Sequence, residues 1–241
     1  DAASLTRPIA MPGDREVDRA IRYSYAQAML WSVFAASTGG MFLTGFAMKL
    51  GADDVMLGLI STLPQFFIIL QFPGAALVER GISRKKLTFR FGLVAPLCWI
   101  LIGAIPFIGT EYARNHLRFI TDGNLAAIQF SILIGTLALV TATSQFANAA
   151  RGSWLGELVP EDKRGSFFGK SAMYWMVVFA AFSVVEGKCI DRIKDMDLMA
   201  FTWLFFFGTV FALASVMLNL PQPDCPLPTI RINGDPTSLT K

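Results

Sequence analysis

Charge is absent from six long stretches of this chain: Tyr23 to Met48, Val55 to Val78, Phe91 to Thr110, Gly123 to Ala150, Ser171 to Val185 and Leu198 to Pro223. Five of them run 20 to 28 residues and the fifth has 15. At a helical rise of about 1.5 Å per residue, roughly 20 apolar residues cross a hydrocarbon core of about 30 Å. The pattern therefore predicts six spanning helices, numbered here spans 1 to 6. The fifth reaches full length if its helix begins earlier, through Gly165, Ser166, Phe167, Phe168 and Gly169, with Lys170 extending its ammonium to the headgroups.

Composition agrees with this reading. The 241 residues are 54% hydrophobic and 16% charged, whereas a soluble domain carries about 25% charged residues. The chain divides into a polar segment over 1–22, an all-α six-helix bundle over 23–219, and a tail over 220–241. That tail holds Pro221, Pro223, Pro226, Pro228 and Pro236 and reads as a cytoplasmic tail or the start of a central loop. The sequence opens on Asp1 rather than Met, so a longer parent chain is expected.

Orientation follows from the basic residues. The segments on the same side as the N-terminus hold 15 of the 21 Lys and Arg, and the opposite side holds six. Positive charge collects on the cytoplasmic side, so both termini are expected there, in a plasma or bacterial inner membrane. Basic residues on that face attract anionic lipid, and nothing points to nucleic acid.

Several chemistries lack their parts. The single histidine, His116, falls in the turn between spans 3 and 4, so no imidazole base lies within the membrane. Cys98, Cys189 and Cys225 fall in span 3, near the far side and in the tail, which argues against a metal cluster or an internal disulfide. No Gly-rich loop followed by Lys-Ser or Lys-Thr is present to cradle a phosphate. We expect no enzyme, no cofactor and no metal.

Two polar turns carry more information. Between spans 2 and 3, Gly74, Leu77, Glu79, Arg80, Gly81, Arg84 and Lys85 combine glycines, an acid-base pair and further basic residues. After span 4, "WLGELVPEDKRGSFFGK" (Trp154 to Lys170) combines a proline, acids, Arg164-Gly165 and an aromatic-Gly step. Pro160 is expected to start a new segment, and Arg164-Gly165 to turn the chain into span 5.

Both turns resemble those of the major facilitator superfamily of secondary transporters, with Glu79 in place of the usual Asp and one more residue between Gly74 and Glu79. With six spans, the resemblance covers nearly the whole chain. It implies the N-terminal six-helix half of a twelve-span fold, built as two inverted three-helix repeats with the substrate cavity between halves. A faint echo of "VERGISRKK" in "VEGKCIDRIK", after spans 2 and 5, suits such a repeat. The implied function is transport of a small-molecule solute by alternating access, against a second six-helix half from a missing portion or another copy. A structural or assembly role without a transport cycle is the alternative. The resemblance also implies a cytoplasmic gate at Glu79, Arg80, Arg84 and Arg151, with Glu79 and Arg151 locking in one state; an interfacial anchor is the other reading of Arg151.

Neutral polar residues form stripes. Thr141, Ser144, Gln145 and Asn148 share one face of span 4 at helical spacing, and Ser37, Thr38 and Thr44 run along span 1. Each set is either a cavity wall or a helix-packing seam. Gly58, Ser61, Thr62 and Gln65 on span 2 are read as packing. Tyr174 and Trp175 on span 5 are either solute-stacking or core aromatics. Glu186 is the one carboxylate placed to lie within the membrane, where it would couple transport to an ion; the other reading ends span 5 at the interface.

Overall fold

The computed structural model describes residues 13–80, 82–110, 121, 123–192 and 197–224. Every regular element among them is helical. Six helical segments are long and apolar enough to cross a membrane: Asp14–Lys49, Asp54–Glu79, Arg84–Gly109, Leu125–Leu158, Glu161–Lys188 and Leu198–Met217. These are spans 1 to 6. His116, Gly81 and Cys225 lie outside the described residues, as do the first 12 residues and the tail beyond Asp224.

Local sequence explains where the helices start and break. Asp53 and Ser83 cap spans 2 and 3, their side chains accepting hydrogen bonds from the backbone of Met56 and Lys86. Span 1 is interrupted between Thr38 and Gly40. Gly39 is extended, and a Cβ there would lie 2.8 Å from the Ala35 carbonyl oxygen, while Gly40 adopts φ 51°. Only glycine takes both positions without strain. Span 2 tightens into a 3-10 turn at Ile68–Leu70. Pro73 follows it, with a ring that would collide with the Ile69 carbonyl in a regular helix.

Span 5 starts earlier than its uncharged stretch, at Glu161, so the backward extension through Gly165 to Lys170 is helical. The expected turn at Arg164-Gly165 is corrected: both residues lie inside that helix. The chain turns at Val159, which is extended (φ −92°, ψ 125°), as the residue before a proline favours. One break at Val159-Pro160 is enough to join spans 4 and 5.

Span 1 packs against spans 5 and 6, span 4 against spans 2 and 3, and span 3 against span 6. Where spans 1 and 6 meet, a Cβ on Gly208 would come 2.9 Å from the Ser37 Cβ, so glycine sets this backbone approach. The principal core sits in the half of the bundle away from the start of span 1, called here the far end. It joins Phe34, Phe42, Phe46, Trp99, Ile102, Leu133, Phe201 and Phe205. A smaller core at the near end gathers Ala20, Trp154, Leu155, Leu158, Val159 and Phe167. Spans 2 and 5 lie at the margins and expose large apolar residues, including Phe66, Ile69, Phe72, Met173, Met176 and Val184.

Candidate functional site

At the near end, spans 1, 3, 4, 5 and 6 enclose a cavity of about 530 Å³. That volume falls in the usual range for small-molecule sites, roughly 300–1,000 Å³. Asn148, Phe168 and Ala172 line it while remaining exposed, so the cavity reaches the surface. Trp31 and Trp175 contribute aromatic wall, and Gln27, Thr88, Ser144, Asn148, Ser215 and Asn219 contribute polar groups. Arg151 is the one charged residue in the lining.

A hydrogen-bond network fixes the polar wall. Gln27 Nε2 donates to Asn219 Oδ1 at 3.1 Å, and Arg151 Nη1 reaches the same oxygen at 3.5 Å. Asn219 Nδ2 donates to the Val216 carbonyl at 2.9 Å, which holds the amide in place. Ser215 Oγ donates to the Gln27 carbonyl at 3.1 Å, and Ser24 Oγ to Gln222 Oε1 at 3.4 Å. Gln27 Oε1 is buried with no donor.

Residues just past span 6 close the near end from below. Lys85 Nζ donates to the carbonyls of Leu220 and Gln222 at 2.7 and 2.6 Å, and Trp154 Nε1 donates to that of Pro223 at 3.1 Å. Ser83 Oγ donates to Asp224 Oδ2 at 2.6 Å. The start of the expected tail, Leu220 to Asp224, is thus tied to the bundle, because carbonyls past a helix end lack intrahelical donors and Lys85 and Trp154 supply them.

The two turns singled out in the sequence meet here. Arg84, 5% exposed, pairs through Nη1 with Glu157 Oε2, joining the turn after span 2 to the end of span 4. Gly74 sits against Phe146 and Ala149 of span 4. Trp154, Leu158 and Phe167 hold the other turn against Ala20, Ile21 and Tyr25 of span 1. Glu79 and Arg80 are exposed at the end of span 2. In this structure Arg84–Glu157 is the one ion pair among the described residues, so Glu79 and Arg151 are apart.

The structure divides the other candidates. Ser144, Asn148, Arg151 and Trp175 are brought together around the cavity. Gln145 turns instead to span 2, accepting from Gln71 Nε2 at 2.8 Å, and Thr141 donates back to the Leu137 carbonyl at 2.7 Å. Thr38 and Thr44 likewise donate to their own helix, to Phe34 and Gly40. Tyr174 packs edge-on to Tyr25, ring centroids 5.3 Å apart. The stripe on span 2 is not a seam within this chain: Gly58, Ser61, Thr62 and Gln65 are all exposed.

Glu186 is buried toward the far end, 7% exposed. Its Oε1 accepts a hydrogen bond from Ser37 Oγ at 2.5 Å, beside the break in span 1, and its Oε2 has no partner. Sequence reasoning did not single out Gln27, Trp31, Ser215, Asn219 and Gln222. A signal existed in the spacing: Ser24 and Gln27, like Asn219 and Gln222, stand three apart at the near ends of spans 1 and 6. No family model, curated protein or solved structure matches this chain.

Proposed function

We propose that this chain is one six-helix half of a secondary transporter of the major facilitator type, moving a small solute by alternating access. The observation that carries the reading is the cavity: a space with a polar wall, open to the surface, where five apolar spans converge. Gln27, Thr88, Ser215 and Asn219 are buried there amid apolar helices, with the half-buried Ser144 and Arg151 beside them, and polar groups so placed suit a space that something polar enters.

Helix adjacency supports the fold in this proposal. Exchanging spans 1, 2 and 3 for spans 4, 5 and 6 leaves the principal packing contacts unchanged: 1 on 5 becomes 4 on 2, 1 on 6 becomes 4 on 3, and 3 on 6 maps to itself. Two repeated three-helix units produce this pattern. The exposed apolar faces of spans 2 and 5 are where lipid and a second six-helix half would lie. Both termini are on the cytoplasmic side of a plasma or inner membrane in this reading, which places the cavity on that side. The Glu79–Arg151 lock belongs to another state of the cycle.

Glu186 is the coupling residue in this scheme. A buried carboxyl with one free oxygen, held by Ser37 where span 1 breaks, has what is needed to take and release a proton as spans 1 and 5 move. The test is uptake into vesicles reconstituted with the full-length protein. A solute that accumulates under a pH gradient in wild type but only equilibrates in Glu186→Gln is the expected result. Absence of protein-dependent flux for every solute class would favour a structural or assembly role.

A further inference from the structure

The cavity's charge identifies the kind of solute it takes. Among the described residues Arg151 is the only charged one in its wall, and the guanidinium's one polar contact there is the Asn219 amide oxygen at 3.5 Å. No acid pairs with it, since the single ion pair there joins Arg84 and Glu157. A half-buried guanidinium that no acid neutralises, in a cavity open to the surface, is free to take an anion that enters. Guanidinium is also planar, so the best complement is a planar carboxylate taken by two parallel N–H groups.

The rest of the wall specifies the body of the ligand. Trp31 and Trp175 offer apolar faces within the same cavity, while Gln27 holds a buried Oε1 without a donor. Among the described residues neither carboxylate nor histidine lines the space to balance a second, positive group. We propose that the cavity binds a small organic monoanion, its carboxylate on Arg151 and its apolar body against Trp31 and Trp175. A hydroxyl on that body would satisfy Gln27. The inference rests on the transporter reading and narrows it to a substrate class.

Benzoate, benzamide and benzylammonium share one ring and differ in charge, so they test the class directly. Radiolabelled benzoate binding is measured on the full-length protein in dodecyl maltoside micelles, with the other two as competitors. Saturable binding, displaced by unlabelled benzoate and by neither of the other two, is the expected result. Arg151→Gln weakens it roughly ten- to hundredfold, the loss of charged hydrogen bonds. Arg151→Lys gives an intermediate loss, because the charge stays and the fork does not.

Displacement by benzamide or benzylammonium overturns the anion class. So does unchanged binding in an Arg151→Gln protein that unfolds at the wild-type temperature. Displacement of benzoate by phosphatidylglycerol, but not by phosphatidylcholine, assigns the guanidinium to a lipid headgroup and overturns the solute site. Uptake on the same preparation separates this inference from the transporter reading. Benzoate that fails to bind while a neutral solute is transported sinks only the anion class; benzoate that binds without any solute flux sinks only transport.

Discussion

The two ends of the bundle are closed by different forces. At the far end Phe205 is fully buried, its ring centroid 5.1 Å from Phe46 and 5.0 Å from Trp99, with Ile102 and Leu133 filling the space around them. At the near end the helices are held by Gln27, Asn219, Lys85, Trp154 and the Arg84–Glu157 pair, around a cavity. Dispersion between interlocked rings is lost steeply with small separations, whereas hydrogen bonds to amides and carbonyls can be exchanged for bonds to water or to a solute. In the proposed transport cycle the near end is therefore the one expected to open, although Trp154, Leu158 and Phe167 give it a smaller apolar core of its own.

That contrast breaks most visibly at Phe205. Phe205→Ala is expected to cost about 3–5 kcal/mol, the usual penalty for truncating a core aromatic. Reversible unfolding in mixed micelles measures it; a cost below about 1 kcal/mol would mean that the far end is not the rigid one. Glu157→Gln comes next. It leaves the buried Arg84 facing a neutral amide, but Glu157 is 34% exposed and water compensates in part, so the loss is about 1–2 kcal/mol. The same assay reads it, and Arg84→Met in the Glu157→Gln background should recover part of the loss.

Gln27→Ala is the mildest of the three. Removing one neutral hydrogen bond to Asn219 costs about 1 kcal/mol or less. Its informative effect is on access: a cysteine introduced at Ser144, which lines the cavity, is expected to react faster with a water-soluble thiol reagent in the Gln27→Ala background. An unchanged labelling rate would show that the Gln27–Asn219 bridge does not guard the opening. Placing the same cysteine at Leu133, buried in the far-end core, should give no labelling in either background.

Much of the architecture was legible before any coordinates. The six uncharged stretches each became a membrane-length helix, and the short fifth one gained its length from Glu161 onward, as its backward extension predicted. The break in span 1 was not read from the sequence, although Gly39-Gly40 is the one Gly-Gly pair in the chain; the dihedrals of the two residues show that the helix is interrupted there. The turn before span 5 was misplaced at Arg164-Gly165 because the pair looks like turn chemistry in isolation. Pro160, acting on Val159, had already reversed the chain.

The site was legible by half. Helical periodicity put Ser144 and Asn148 on one side of span 4, and both line the cavity because residues of one helix face share surroundings; Arg151, singled out through the resemblance instead, lines it with them. Periodicity placed Thr141 and Gln145 on that face too, yet Thr141 satisfies itself within its helix and Gln145 is taken by Gln71. A hydroxyl's choice between its own carbonyl and a neighbour is settled by which helix lies opposite.

What the sequence alone determined was the number and approximate position of the helices long and apolar enough to cross a membrane, because a membrane demands apolar length and satisfied backbone from every crossing segment separately. What only the tertiary structure decided was which spans are neighbours, and hence that Gln27, Asn219 and Arg151, 192 and 68 residues apart across their two hydrogen bonds, share one oxygen at the wall of one cavity. Such partnerships depend on how six nearly interchangeable apolar surfaces choose one another, through close approaches such as Gly208 on Ser37 and rings such as Phe205 on Trp99. Those choices are properties of shape in three dimensions, and hydropathy along one chain does not contain them.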